Sequence, residues 1–308
     1  MTGIPQEYSF RRYLAAKQSL DDRSLNRHVR EALGGSLLER RKKTACRVLE
    51  VGCGIGTMLE RLIDWQLLTE AAYTGLDVHP DNISEARRRF RRFAAARGAD
   101  LALEAGRCLY RQPGQTVAVE FEALDLFHLL SREQGRRRWD LILAHAFLDL
   151  VDLGTTLPGL LGLLAPGGFF YFTLNFDGAT IFKPTIDTGL DQRLEILYHQ
   201  TMDQRQVGGR LSGSSRTGRR LFEHLEAAGG TVLAAGSSDW VVLPGPAGYP
   251  GDEAYFLHFI IHTVQQALEG HPELPAAAFR TWIEQRHTQI QQGELIYLAR
   301  QLDFFGRV

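Results

Sequence analysis

Lysine is scarce in this 308-residue chain: only Lys17, Lys42, Lys43 and Lys183 occur, so most of the 35 basic residues are arginine. Set against 36 acidic residues they leave a formal net charge of −1. That balance removes the electrostatic case for a dedicated nucleic-acid or membrane-surface protein, which needs a basic footprint. The arginine bias reads as genome composition rather than recognition chemistry. Cysteine is equally sparse. Cys46, Cys53 and Cys108 share no C-x-x-C spacing, and an odd number cannot close a disulfide framework. A reduced, cytoplasmic setting is expected, with no metal site. Long apolar runs are also missing. The N-terminus MTGIPQEYSFRRYLAAK lacks the apolar core of a signal peptide. The most apolar stretch, 141–174, is broken by His145, Asp149, Asp152, Pro158 and Pro166, so it does not read as a membrane span. With 44% hydrophobic and 10% aromatic residues, intrinsic disorder is excluded.

Residues 6–45 read as helical, with Leu25, Val29, Leu33 and Leu37 forming an i, i+4 apolar stripe and Arg40–Lys43 a basic helix end. From residue 47 the pattern alternates. RVLEV (47–51), AAYTGLDV (71–78), VAVEFEALDL (117–126), a segment of WDLILAHAFLDL (139–150) and GGFFYFTLN (167–175) read as strands, with helical segments at 57–68 and 81–97. Such alternation implies right-handed crossovers and a mainly parallel sheet with helices on both faces. The six arginines from Arg87 to Arg97 share a helix with an apolar stripe and read as a solvated face. After residue 175 the order loosens. Residues 176–215 read as polar and Gly-rich with one helix near Gln192–Gln204, and a further helix spans 216–229. A strand at 231–243, helices near 252–269 and 275–292, and a closing strand at 293–305 follow.

The informative segment is Glu50-Val51-Gly52-Cys53-Gly54-Ile55-Gly56. It follows a buried strand and opens a helix, where glycines admit a ligand close to the backbone and helix N–H groups point at it. The spacing is G-x-G-x-G, and Thr57 stands where a dinucleotide fold wants its third small residue. Glu50 lies two residues before the loop, where a carboxylate can accept from an ammonium group. Asp77 ends the second strand, where it can chelate both hydroxyls of a ribose; its bland alternative is a cap for the helix that follows. Asp125 sits between Leu124 and Leu126 at the end of the third strand, placed to take an exocyclic adenine amine while its neighbours pack on the ring. The alternative for Asp125 is an ordinary turn aspartate.

At these residues the chain resembles the class I S-adenosylmethionine-dependent methyltransferases. The resemblance rests on VLEVGCGIGTMLE (48–60), YTGLDVHPDNI (73–83), EALDLF (122–127), WDLILAHAFLDLVD (139–152) and LLAPGGFFYFTLN (163–175), covering residues 47 to 175. It implies a Rossmann-like, seven-stranded, mostly parallel sheet with an antiparallel last strand beside strand five. It also implies S-adenosylmethionine as cofactor and S-adenosylhomocysteine as product. Glu50, Gly52, Gly54 and Gly56 would border the methionine part, with Cys53 a small residue tolerated in the loop. Asp77 would hold the ribose, Val78 would touch the adenine, and Asp125 with Leu126 would bind its amine edge. His145 would line the site, and it is the one candidate for a catalytic base.

Two departures narrow the acceptor. Strand four ends in AHAFLD, without the Asn/Asp-Pro-Pro-aromatic motif of amino-methylating nucleic-acid enzymes, and the basic surface such enzymes need is missing. The expectation is a methyltransferase for a small organic molecule, its acceptor atom open, with no nucleic-acid or membrane partner. A helical cap is expected from residues 1–46, and insertions at about 176–215 and 244–292 are expected to decorate a catalytic domain spanning 47–308. Aromatic and polar residues between Asp239 and His262, among them Trp240, Tyr249 and Tyr255, suit a pocket wall. Asp21, Asp22, Arg23, Asn26 and Arg27 form a polar set that could close over the cofactor, with an exposed helix face as the alternative. The rival functions are a non-catalytic S-adenosylmethionine-binding sensor or scaffold, an aminopropyl transferase of the same fold, and a nicotinamide-dependent reductase.

Overall fold

The computed structural model describes residues 3–39, 45–104, 106–133, 135, 139–207 and 209–308. The basic run Arg40–Lys43 lies outside them. Three short helices open the chain: α1 (Phe10–Ala16), α2 (Gln18–Ser24) and α3 (Arg27–Glu39). The expected stripe is therefore shared between helices. Leu25 closes α2, and Asn26 caps α3 by accepting the Val29 N–H at 3.1 Å, after which Val29 and Leu33 are buried.

The first half alternates as expected: β1 (Cys46–Val51), α4 (Thr57–Asp64), β2 (Glu70–Asp77) and α5 (Pro80–Ala96). A hairpin pair, β3 (Asp100–Glu104) and β4 (Arg107–Gln112), precedes β5 (Gln115–Ala123), then come α6 (Leu126–Glu133), β6 (Trp139–His145) and α7 (Leu153–Gly162). The second half holds β7 (Leu164–Lys183), α8 (Thr188–Asp203), the small β8 (Gln206–Val207) and β9 (Arg210–Leu211) pair, and α9 (Thr217–Ala227). It closes with β10 (Thr231–Ser237), β11 (Trp240–Val242), α10 (Glu253–Leu268), α11 (Ala276–Gln292) and β12 (Ile296–Arg307).

The main sheet has ten strands, ordered β10-β12-β7-β6-β1-β2-β5-β4-β3, with β11 also on β12. Strands β7, β6, β1, β2 and β5 run parallel, and β12 lies antiparallel beside β7. This is the Rossmann-like sheet with an antiparallel final strand, enlarged beyond seven strands. Two of the added strands, β3 and β4, extend the edge beyond β5 through a Pro113-Gly114 turn. Gly114 sits at φ 80°, the conformation that the third position of a type II turn demands. The other addition is β11. The single strand expected over 231–243 breaks at Ser238-Asp239, where the Ser238 N–H bonds the Gln301 carbonyl and Asp239 Oδ1 accepts the Gln301 N–H.

Order does not loosen at residue 175. Strand β7 runs to Lys183 because Asp177-Gly178 falls in a bulge: Ala299 pairs with Thr180 and Gln301 with Phe176. Asp177 is 2% exposed there and is held by Arg219 at 2.8 Å and Arg300 at 3.4 Å. The helix expected near Gln192–Gln204 begins earlier, at Thr188, where Asp187 accepts the Leu190 N–H.

Strand β6 shows why helices cover both faces. Leu141 and Leu143 enter a core with α2 to α5, α10 and α11, while Ile142 and Ala144 enter a second core with α6, α7 and α9. The α5 arginines are not a free basic face: Arg89 pairs with Glu60, Arg97 with Asp64, and Arg88 and Arg92 with Glu85. Among the described residues no helix is long and apolar enough to cross a membrane. The strand order reverses at β1, which has β2 on one side and β6 on the other. A crevice outside the carboxyl ends of these strands is where such sheets bind ligands.

Candidate functional site

The carboxyl ends of β1, β2, β5 and β6 open onto one cavity of about 1330 Å³. Its floor is the glycine loop. Gly52 and Gly54 adopt φ of 64° and 54°, a region other residues enter at a cost. A Cβ on Gly52 would lie 2.3 Å from the Phe147 ring, and one on Gly54 would press Leu14 of α1 at 3.3 Å. Gly52, Cys53 and Gly54 line the cavity. Gly56 does not: it caps α4 and faces Phe121. Burial pushes the Cys53 thiol well up, so it stays protonated and is no nucleophile. Glu50 lies behind the loop rather than on the cavity wall. It is 1% exposed and accepts the Tyr73 hydroxyl at 2.5 Å, and burial lifts its carboxyl to about 7.

Asp77 serves loop and helix together. Its Oδ2 accepts the Gly54 N–H at 3.0 Å, and its Oδ1 accepts the His79 N–H at 2.9 Å and the Asn82 amide at 3.1 Å. The helix-capping alternative is thus real, yet the residue also forms part of the cavity wall, where a carboxylate retains lone pairs for a diol. Val78 beside it is 57% exposed and lines the same wall. Asp125 Oδ1 accepts the Phe127 N–H at 2.8 Å and the His128 N–H at 3.4 Å, so the residue caps α6. Both Asp125 and Leu126 line the cavity.

His145 ends β6 inside a buried polar cluster. Its Nδ1 is 2.7 Å from Thr173 Oγ1, and its Nε2 is 3.2 Å from Asp21 Oδ2. A carboxylate only accepts, so Nε2 carries the proton and Nδ1 accepts the threonine hydroxyl. Arg61 Nη1, 3.3 Å from Nε2, is then a neighbouring cation and not a hydrogen-bond partner. Burial, with help from Lys17 and Arg61, holds the imidazole neutral down to about 4. Asp21 gathers the cluster: it takes Lys17 Nζ at 2.5 Å and Trp240 Nε1 at 3.0 Å. Of the N-terminal polar set only Asp21 has this place. Asp22 pairs with Arg61, Arg23 with Glu253, Asn26 caps α3, and Arg27 is on the surface with Glu31.

Residues 49–170 match the family described as a methyltransferase domain. This segment is a methyltransferase domain. No curated protein matches the chain in sequence. Among solved structures the chain is similar to a cyclopropane synthase from Mycobacterium tuberculosis, at 10% identity over 99% of this chain and 100% of that one, with a TM-score of 0.44. It is similar also to a SAM-dependent methyltransferase from Methanosarcina mazei, at 13% identity over 88% and 96% of the two chains, with a TM-score of 0.43.

The cavity continues past the loop into a chamber that sequence reasoning largely missed. Phe10 and Tyr13 of α1, Tyr198 and Met202 of α8, and Tyr297 of β12 line it. From the 239–262 stretch only Trp240 and Ile260 take part. Tyr249 bonds the Leu295 carbonyl, Tyr255 bonds Ser9, and His262 stacks on Tyr8. The available signal was Tyr13, Lys17 and Asp21, spaced by fours in a helix and including one of four lysines. Nothing local marked Tyr198 or Tyr297.

A neutral buried His145 makes stability depend on pH. Its pKa is lowered on folding, so between about 6.5 and about 4 the unfolded chain binds one proton more than the native one. Stability is lost as pH falls through that window. The wild-type stability-against-pH curve should be steeper there than that of His145→Gln by about 1.4 kcal/mol per pH unit. Denaturant unfolding at a series of pH values measures it; parallel curves would mean that His145 takes up its proton in the native state.

Proposed function

We propose that this methyltransferase moves a methyl group from S-adenosylmethionine to a small organic molecule held in the same cavity. The observation that supports this most is the cavity's continuity. The glycine loop, Asp77 and Asp125 wall one end, and Tyr13, Tyr198, Trp240 and Tyr297 wall the other. A volume of about 1330 Å³ exceeds the roughly 300–1,000 Å³ typical of single-ligand pockets, leaving room for two molecules side by side.

When bound, the cofactor supplies an electrophilic methyl carbon on a sulfonium. The chain positions it. Gly52, Cys53 and Gly54 lie against the methionine part, with Glu50 and Gly56 setting the loop from behind. Asp77 takes the ribose hydroxyls, Val78 the adenine face, and Asp125 with Leu126 the amine edge. His145 lines the methionine side and, with both nitrogens engaged, acts by position rather than as a free base. Helices α1 to α3, before the sheet, and α8, after β7, form the cap. Tyr13 and Leu14 come from the first and Tyr198 and Met202 from the second, and together they exclude water from a reaction that needs mainly alignment. The stretch at about 244–292 contributes Ile260 and otherwise buttresses the cap.

Calorimetric titration with S-adenosylmethionine, S-adenosylhomocysteine and NADH, followed by labelled-methyl transfer into a metabolite extract, tests this reading. Micromolar binding of the first two and label in a low-mass product are expected. Binding without any labelled product would make the chain a cofactor-binding sensor, and binding of NADH alone would make it a reductase.

A further inference from the structure

Three phenol hydroxyls meet in the acceptor chamber. Tyr13 of α1, Tyr198 of α8 and Tyr297 of β12 all line the cavity. Among the described residues none of these hydroxyls has a hydrogen-bond partner. The Tyr171 oxygen is unbonded too, but it is sealed from solvent, whereas these three oxygens keep accessible surface. The rings themselves are held by other rings. Tyr13 stacks on Phe256 and Phe259, with centroids 5.6 and 4.4 Å apart. Tyr297 packs on Phe182 at 5.2 Å and on Phe256 at 6.0 Å. With aromatic neighbours on these rings, the part left for a ligand is the hydroxyl rather than a π face.

The three oxygens lie close enough to act on one another: Tyr198 contributes to raising Tyr13, and both contribute to raising Tyr297. Burial is the largest cause in each case. It pushes all three above the ordinary phenol value, Tyr198 to about 12, so each keeps its proton at neutral pH. The charges around the cluster come in opposed pairs. Lys17 is bonded to Asp21, while Arg205 Nη1 reaches the Asp149 carbonyl at 3.4 Å and its charge acts on that carboxylate. These pairs cancel, so neither a carboxylate nor an ammonium gains a counter-ion from them. A phenol oxygen is a good donor and a poor acceptor, because a lone pair is delocalised into the ring. Three protonated phenols therefore lack acceptors, not donors, and a buried donor without an acceptor is costly.

Resting on the function proposed above, the structure assigns Tyr13, Tyr198 and Tyr297 as the site for an uncharged carbonyl oxygen of the methyl acceptor. The oxygen of a ketone, ester or amide accepts two hydrogen bonds and brings no donor of its own. An alcohol brings a further donor to a cluster that already has three. Phe176, Met202 and Trp240, which line the same chamber, supply the apolar wall for the hydrocarbon beside the carbonyl. The three tyrosines are thus specificity-determining: they select and orient the acceptor and take no proton from it.

The test uses acetophenone, 1-phenylethanol, 1-phenylethylamine and ethylbenzene, which share one skeleton, together with benzoate as the anion. Binding is followed by NMR in the presence of S-adenosylhomocysteine. Acetophenone should bind more tightly than the other four, and at least about fivefold more tightly than ethylbenzene, the size expected of one or two neutral hydrogen bonds. Its carbonyl carbon-13 resonance should move downfield on binding, because donors polarise the carbonyl. Tyr198→Phe and Tyr297→Phe each delete a hydroxyl and keep the ring. Each should lower acetophenone affinity by about threefold or more, and adding Tyr13→Phe to both should level it with ethylbenzene. Ethylbenzene and S-adenosylhomocysteine should bind every variant as they bind wild type. Equal wild-type binding of acetophenone and ethylbenzene, tighter binding of the alcohol, amine or benzoate, an unmoved carbonyl resonance, or equal losses for acetophenone and ethylbenzene in the variants would each overturn the assignment. Failure of the wild-type protein to bind S-adenosylhomocysteine at all would instead count against the function proposed above.

Discussion

Replacing Asp77 with alanine should weaken S-adenosylmethionine binding by about 100-fold or more. Two effects add. The ribose loses a charged acceptor, and hydrogen bonds to charged groups are worth about 1.5–3 kcal/mol each, so two of them account for at least two decades of affinity. The glycine loop also loses the carboxylate that fixes the Gly54 N–H at 3.0 Å, so the floor of the cavity is no longer set before the ligand arrives. Stability should fall as well, because the His79 N–H and the Asn82 amide lose their acceptor. Asn82→Ala, which leaves the carboxylate in place and removes its amide partner at the cavity wall, serves as the control for the stability effect. Calorimetry and thermal unfolding of both variants separate the effects. Lost stability with unchanged affinity in Asp77→Ala would reduce Asp77 to a helix cap.

Asp21→Leu should destabilise the fold by about 3–5 kcal/mol, the range seen when one partner of a buried ion pair is removed. Lys17 Nζ, Trp240 Nε1 and His145 Nε2 all point to this one carboxylate, and Lys17 and Asp21 are 5% and 1% exposed. Burial by itself would raise the pKa of Asp21. The charge of Lys17 and the hydrogen bond from His145 outweigh it and hold the group below the usual carboxylate range. A depressed pKa means that the stabilisation is complete above the unfolded value near 3.9 and is lost as pH falls below it. The gap between wild type and variant should therefore be constant from pH 5 to 8 and shrink in stronger acid. Adding Lys17→Met should recover part of the loss, since it removes the stranded charge. Urea unfolding of the single and double variants measures this. A single variant as stable as wild type would show that the cluster contributes nothing to the fold.

Asp21 also illustrates where reading the chain failed. Along the sequence it belongs to a run of polar residues, Asp21, Asp22, Arg23, Asn26 and Arg27, that an exposed helix face would explain equally well. The turn of α2 puts Asp21 alone inward, and only the return of β6 and β11 brings His145 and Trp240 to it. The break of 231–243 into two strands has the same origin. Gln301, more than sixty residues later, bonds Ser238 and Asp239 and so decides where β10 stops.

What the chain determined by itself was local and periodic. The glycine loop, Asp77 at the end of β2 and Asp125 before α6 are legible because each sits at a strand end, where the change from extended to helical periodicity marks the crevice of a parallel sheet. The antiparallel last strand followed from the resemblance those motifs carry. What the tertiary structure alone decided was the acceptor chamber. Tyr13, Asp149, Tyr198 and Tyr297 are spread over nearly the whole chain, and each has an ordinary local explanation, as a helix or strand position or a turn. Their meeting depends on long-range strand pairing, above all the full length of β7 against β12, and no local periodicity encodes which residues such pairing brings face to face.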